Sequence, residues 1–195
     1  MEVIINKEQK KQALESLSPI EAITIALVPE IFHNPKDRRP KMTKLRIDWI
    51  YSQIQNKEPS SPIGPVLITK SGINDSIHKG FNRYKAGLYP ILDKLIENSV
   101  LLHSNIDPND KRQYILGSKY IRDQTIGYVG IVIKEDRMGN KYYTHTIYQK
   151  NNQAARSGTE NQSLTLKLHP VINTILQEIL DVNNKKTRRH WGLCD

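Results

Sequence analysis

The feature that most constrains this chain is a run of three strand patterns in its second half. They lie near 112–122, 125–135 and 141–149. The sequence Asp-Arg-Met-Gly-Asn at 136–140 is typical of a hairpin turn between the last two. Consecutive strands joined in this way pair antiparallel. The chain is therefore expected to contain an antiparallel sheet.

The middle strand pattern shows which face of that sheet meets the core. Successive side chains of a strand point to opposite faces. Val129, Ile131 and Ile133 are predicted to point toward the core, whereas Tyr128 and Lys134 point the other way. One face of the sheet is thus predicted to be apolar.

Two helical patterns precede the sheet. They are predicted over 71–80 and 85–97, with short strands at 66–69 and 100–103. Together these segments predict an α+β domain over 66–150.

A proline-rich segment precedes this domain. Residues 57–65 contain three prolines in seven positions, so they cannot form a helix and are predicted to be a linker. Residues 1–56 are predicted to be a helical N-terminal extension. Its helices are expected near 7–17, 18–28 and 43–56.

Residues 151–195 are predicted to form a C-terminal extension. A polar loop comes first, an amphipathic helix is expected at 170–182, and a basic tail follows at 185–191. The tail is interpreted either as a solvated disordered end or as an arm that binds nucleic acid.

The net charge of +9 indicates the class of partner. Residues 61–150 hold 13 Lys and Arg against 8 Asp and Glu, a balance of +5. A basic surface attracts polyanions, so nucleic acid, RNA in particular, is the expected partner. A generic solubilising surface is the alternative.

The sequence also indicates a compartment. Its single cysteine, Cys194, cannot form an internal disulfide, which is consistent with the cytoplasm. No apolar run approaches the ~18 residues of a membrane span, so no membrane association is expected.

Several enzyme classes are disfavoured because their motifs are missing. The sequence has no GxxxxGK[ST] loop, no GxGxxG, no GxSxG, no CxxC and no HExxH. The six histidines are scattered along the chain. An ATPase, a dinucleotide enzyme and a zinc hydrolase are therefore not expected, and neither a cofactor nor a metal is predicted.

The remaining polar residues suit RNA cleavage without a metal. That reaction needs a base for the 2′-hydroxyl, an acid for the leaving oxygen and cations for the phosphate. Histidine suits the proton transfers, and lysine or arginine suits the charge. The predicted catalytic residues are His78, His145, Lys134 and Tyr143, and the predicted nucleic-acid contacts are Lys79, Arg83, Lys85 and Thr144. Strand alternation predicts that Tyr143 and His145 share one face. A packed or hydrogen-bonded histidine is the alternative interpretation at position 145.

Three short motifs carry a family resemblance. They are Leu-Ile-Thr-Lys-Ser-Gly-Ile followed by Ser-Ile-His-Lys-Gly within 67–80, Leu-Ile-Glu-Asn-Ser-Val at 95–100, and Tyr-Tyr-Thr-His at 142–145. This order resembles the barnase–EndoU–colicin–RelE-like nuclease domains of phages and mobile elements, and is similar to domains associated with large polyvalent proteins. The resemblance implies helices packed on a four-stranded antiparallel sheet and metal-independent endoribonuclease chemistry on the open face of that sheet. It places His78, His145 and Lys134 at the family's active positions.

Three functions thus stay open for the chain. The first is an endoribonuclease or toxin of a mobile element, held in check by a protein inhibitor. The second is a catalytically inactive module that binds nucleic acid. The third is a phage-encoded protein that binds and inhibits a host protein.

Overall fold

The computed structural model describes five stretches of the chain. They are residues 7–34, 36–54, 57–79, 82–106 and 112–148. The loop, helix and basic tail predicted over 151–195 lie outside the described residues.

The described residues form short helices followed by long strands. The α-helices are α1 (Lys7–Ser16), α2 (Pro40–Ile54), α3 (Lys70–His78), α4 (Arg83–Ala86) and α5 (Leu92–Glu97). Single 3₁₀ turns lie at Ile25–Leu27, Glu30–Phe32 and Tyr89–Ile91. The strands are β1 (Ile20–Glu21), β2 (Ser60–Ser61), β3 (Gly64–Pro65), β4 (Ser99–Ile106), β5 (Arg112–Arg122), β6 (Thr125–Glu135) and β7 (Lys141–Tyr148).

The three predicted consecutive strands are β5, β6 and β7. They form an antiparallel meander, with β4 antiparallel to β5 on the edge away from β6. A two-residue turn joins β5 to β6, and both its residues, Asp123 and Gln124, have positive φ (48° and 62°). Such a turn matches the right-handed twist of the flanking strands. The meander was thus predictable from the strand patterns.

The predicted four-stranded antiparallel sheet is wrong, because β1 adds a fifth strand in parallel orientation. Ile20 and Glu21 pair with Tyr120 and Ile121 of β5, and the described part of the chain therefore holds a mixed five-stranded sheet. The helix predicted over 18–28 is absent for a related reason. This segment is rich in β-branched residues, which lose rotamer freedom in a helix and fit a strand well.

The main core lies on one face of the sheet. Val129, Ile131 and Ile133 are completely buried there, as predicted. Helices α2, α3 and α5 cover them with apolar residues such as Ile50 and Ile73. Full burial of one such side chain contributes about 1.5–3 kcal/mol.

Helix α1 covers part of the opposite face. Its Leu14 is fully buried and packs over Gly117 of β5, where an added Cβ would lie 3.1 Å from the Leu14 Cδ1 atom. The Lys119 ammonium donates to the Glu15 carbonyl at 2.8 Å. Tyr128, predicted to point away from the core, is 3% exposed. Both faces of the sheet thus carry packed side chains.

The proline-rich segment leads the chain to the free edge of β7. It forms the hairpin of β2 and β3, in which the Ser61 hydroxyl donates to the Gly64 carbonyl at 2.7 Å. The strand predicted at 66–69 is reduced to one parallel bridge between Leu67 and Tyr142. This bridge places α3 directly beside β7. The division into an extension over 1–56 and a domain over 66–150 stays a prediction.

None of the helices in the described stretches has the length and apolar character needed to cross a membrane.

Candidate functional site

A bulge in β7 determines where its histidine points. Tyr143 pairs with Ile133 and His145 pairs with Val132, so Thr144 is an extra residue between them. Ile133 and Val132 are adjacent in β6 and therefore face opposite sides of the sheet. The prediction that Tyr143 and His145 share a face is thus wrong, since a bulge inverts the alternation beyond it.

Helix α3 runs close beside this bulge. The Thr69 hydroxyl accepts a hydrogen bond from the Gly72 amide at 3.1 Å and caps the helix. Gly72 has no side chain, and a Cβ there would overlap the Tyr143 carbonyl oxygen. This close approach brings the C-terminal end of α3, at His78 and Lys79, next to the second half of β7.

Lys79 and His145 meet at this point. The Lys79 Nζ atom lies 3.3 Å from the His145 Nδ1 atom. An ammonium group has donors only, so Nδ1 accepts and the ring proton is on Nε2. The Thr144 hydroxyl is 3.1 Å from the same Nδ1 atom and donates to the Val132 carbonyl at 3.0 Å. This arrangement fixes a neutral imidazole with its Nε2–H group as a donor.

Burial and the charges of three lysines favour the neutral form of the imidazole. Partial burial, followed by the charges of Lys79, Lys85 and Lys134, lowers the pKa of His145 to about 3. The pKa of Lys79 is also lowered, first by burial and then by Lys134, although Asp75 acts in the opposite direction. Lys79, Lys85, Lys134 and His145 are called the basic cluster below.

Lys85 is the buried member of the basic cluster. It is only 2% exposed, and its ammonium donates to the Ser76 carbonyl at 2.9 Å. Burial, and then the charge of Lys79, lowers the pKa of Lys85 to about 7. Lys85 was predicted as a nucleic-acid contact. In the folded chain it is buried, and it acts on His145 through its charge.

A buried network of hydroxyl groups supports the basic cluster. The hydroxyls of Tyr89 and Tyr143 donate to the Ser76 Oγ atom at 2.9 and 2.8 Å. The Tyr143 oxygen also lies 2.9 Å from the Thr146 Oγ1 atom. Burial raises the pKa of Tyr143 to about 12. The hydroxyl of this predicted catalytic residue is thus occupied in tying α3 to β7.

Ser76 is a residue of this site that the sequence motifs did not single out. It lies between Ile73 and Ile77 on the buried side of α3 and is completely inaccessible. A small polar residue within the apolar stripe of a helix requires a hydrogen-bond partner, and that signal was available in the sequence.

The other predicted site residues lie outside this arrangement. His78 is exposed at the end of α3, and among the described residues it makes no hydrogen bond to the basic cluster. Arg83 is exposed, and its guanidinium lies 5.4 Å from the Tyr84 ring centroid. The structure thus brings Lys79, Lys85, Lys134, Thr144 and His145 together, whereas the roles predicted for His78 and Arg83 stay predictions.

The basic cluster has the chemistry of an anion site. The charged groups that act on its imidazole are all positive, and lysine ammonium groups bind phosphate as point charges. The Nε2–H group of a neutral histidine adds a hydrogen-bond donor. In the described stretches, no group of three or more His, Cys, Asp and Glu is placed to hold a metal ion. The absence of a cofactor stays a prediction.

The chain matches a protein-family model. The model of large polyvalent protein-associated domain 3 matches residues 37–143, more than half of the chain. The chain belongs to this family. The matched residues of this polyvalent protein-associated domain include Lys79, Lys85 and Lys134, and the match ends at Tyr143. No curated protein and no solved structure matches the chain. The resemblance to barnase–EndoU–colicin–RelE-like nucleases stays a prediction.

Proposed function

We propose that this polyvalent protein-associated domain is a metal-independent endoribonuclease of a mobile element that acts on RNA in the cytoplasm. The observation that carries the proposal is the 3.3 Å contact between the Lys79 ammonium and the His145 imidazole. Two further lysines act on the same imidazole. This combination supplies positive charge for a phosphate and a titratable group beside it.

The reaction is a transesterification within the RNA backbone. The 2′-hydroxyl loses its proton to a base, and its oxygen attacks the adjacent phosphorus. The P–O5′ bond breaks, and an acid gives a proton to the leaving oxygen. The products are a 2′,3′-cyclic phosphate and a 5′-hydroxyl.

His145 and His78 share the acid and base roles in this proposal, and Lys79 and Lys134 hold the phosphate. The negative charge of bound RNA offsets the lysine charges and favours the protonated form of His145, which then serves as the acid. His78, exposed at the end of the same helix as Lys79, serves as the base. Lys85 contributes positive charge from its buried position.

The test is incubation of the full-length protein with total RNA, tRNA and single-stranded DNA in excess EDTA. We expect RNA to be cut to products with 2′,3′-cyclic phosphate ends. His145→Ala and Lys79→Ala should each lower the rate by about 100-fold or more, the usual contribution of a positioned acid or charge. Lys94→Ala, an exposed lysine of α5, is the matched control and should cut like the wild type. Intact RNA with the wild-type protein would refute the proposal.

His78→Ala separates the two histidine roles. If His78 is the base, this variant loses cleavage but keeps RNA affinity, because the lysines that hold the phosphate are unchanged. Cleavage at the wild-type rate would remove His78 from the scheme and leave the base to another group.

A catalytically inactive nucleic-acid-binding module is the second candidate. It is favoured by the neutral state of His145, which the burial and lysine charges maintain. This candidate predicts RNA binding that weakens steeply with salt, because binding releases counterions from the phosphates. An RNA affinity that falls steeply with rising salt concentration, together with RNA that stays intact, would support the binding module over the nuclease.

A further inference from the structure

A second charged group lies at the other end of the sheet. Arg122 ends β5 and pairs with Thr125 across the hairpin, whereas Lys134 lies nine residues farther along β6. At ~3.3 Å per residue, this places the arginine about 30 Å along the strand from Lys134. Arg122 is therefore separate from the basic cluster.

The side chain of Arg122 is largely buried, and two of its three guanidinium nitrogens have neither solvent nor a hydrogen-bond partner among the described residues. The residue is 7% exposed, and its Nε and Nη2 atoms are inaccessible and unpaired. Arginine keeps its positive charge in proteins. An isolated buried charge destabilises the folded state unless it is paired. The described structure thus leaves a strong demand for an anion at this position.

The immediate neighbours of Arg122 do not meet that demand. A Cβ added to Gly87 would lie 3.0 Å from the Nη2 atom, so the glycine leaves room for the guanidinium. The Ile23 carbonyl lies on the same side, 3.4 Å from that Cβ position. The Tyr120 ring centroid is 5.4 Å from the Cζ atom. None of these neighbours carries a charge.

We infer that Arg122 is the anchor of a binding site for a carboxylate. The Nε–H and Nη2–H groups form one edge of the guanidinium and point in parallel, which matches the two oxygens of a carboxylate. A carboxylate also balances the single positive charge, whereas a phosphate dianion would leave one negative charge in excess.

The fold offers this site a route to solvent. Strand β1 consists of only two residues, and its pairing with Tyr120 and Ile121 closes the end of β5 next to Arg122. Short strands with few hydrogen bonds open locally at low free-energy cost. Separation of β1 from β5 would expose this end of the sheet to a small carboxylate.

Formate and acetate are the probes for this site, added to the full-length protein in place of chloride at constant ionic strength. The Nε–H resonance of Arg122 should move on titration with formate and reach saturation. The midpoint temperature of thermal unfolding should rise with formate concentration over the same range. Glutamate-containing peptide forms a second arm, and a larger shift with the peptide would identify a protein carboxylate as the natural source.

Arg122→Gln and Arg137→Gln are the matched variants. Both remove one positive charge, but Arg137 is exposed in the β6–β7 turn. Formate should raise the midpoint of Arg137→Gln as in the wild type and leave that of Arg122→Gln unchanged. An unmoved Nε–H resonance in the wild type, or an equal shift of the midpoint in all three proteins, would overturn the inference. The wild-type resonance decides the matter if Arg122→Gln does not fold.

Discussion

Filling the basic cluster with an anion should protonate His145. Burial and the charges of three lysines lower the pKa of His145 to about 3. At pH 6 the imidazolium form is then only about 0.1% of the population. A sulfate dianion bound between Lys79 and His145 would reverse the largest electrostatic contributions to that shift.

The size of the reversal follows from Coulomb's law. If one of the two sulfate charges is taken as offset by the Lys79 ammonium, the remaining negative charge lies about 4 Å from the imidazole and, at an effective dielectric constant of about 20, favours the protonated form by about 4 kcal/mol. This corresponds to about 3 pKa units, since one unit is about 1.4 kcal/mol. Bound sulfate is therefore expected to return the pKa of His145 to about 6.

Nuclear magnetic resonance of ring-labelled histidine measures this directly. The His145 signal, assigned with His145→Gln, is followed from pH 3 to pH 8 in sulfate and in chloride at equal ionic strength. Sulfate stays a dianion throughout this range, so only the protein titrates. His33, whose Nε2 atom lies 3.1 Å from the Val28 carbonyl oxygen and which is not a member of the basic cluster, is the internal control, and its signal should be the same in sulfate and in chloride. A His145 signal that titrates near pH 6.5 in chloride would refute this prediction. So would a titration of His145 that is the same in sulfate and in chloride.

Three further predictions concern the surroundings of the site. Folding lowers the pKa of Lys85 from 10.5 to about 7, so between these two values the unfolded chain binds more protons than the native one. The free energy of unfolding should therefore rise by about 2 kcal/mol between pH 7 and pH 9. In denaturant unfolding, the free energy of unfolding of Lys85→Met should not show this rise between pH 7 and pH 9. A variant with the same pH dependence as the wild type would contradict the lowered pKa of Lys85. Gly72→Ala should lower the free energy of unfolding by about 3 kcal/mol or more, because its Cβ meets the Tyr143 carbonyl, whereas exposed Ser71→Ala should change it by less than about 0.5 kcal/mol. Tyr143→Phe should lower stability by about 1–2 kcal/mol through its lost buried hydrogen bonds, and RNA cleavage below the unfolding temperature should persist if the hydroxyl is structural.

The regular part of the sheet was predictable because its pattern is local. Alternation in β6 identified the buried face through Val129, Ile131 and Ile133, and the composition of 136–140 identified a turn. β1 was not predictable in the same way. Its two residues take their conformation from hydrogen bonds to β5, about 100 positions away in the chain. The helix predicted over 18–28 does not form because of that pairing and because of the β-branched residues in this segment.

The candidate site shows why residue type was easier to predict than arrangement. Lys79, Lys134 and His145 were singled out from the sequence by residue type, and the fold brings them together, whereas the roles predicted for them stay predictions. Their partners depend on one bulge at Thr144 and one missing side chain at Gly72, and neither feature follows a periodic pattern. A bulge that re-aims a side chain, a glycine that permits close backbone approach and a buried lysine each weaken the fold locally. The bulge and the buried lysine act on the His145 imidazole, and Gly72 lets α3 approach β7 beside it. Regular packing alone gives no reason for this arrangement. An anion at the basic cluster would give one, since its charge compensates the lysines that the fold has gathered.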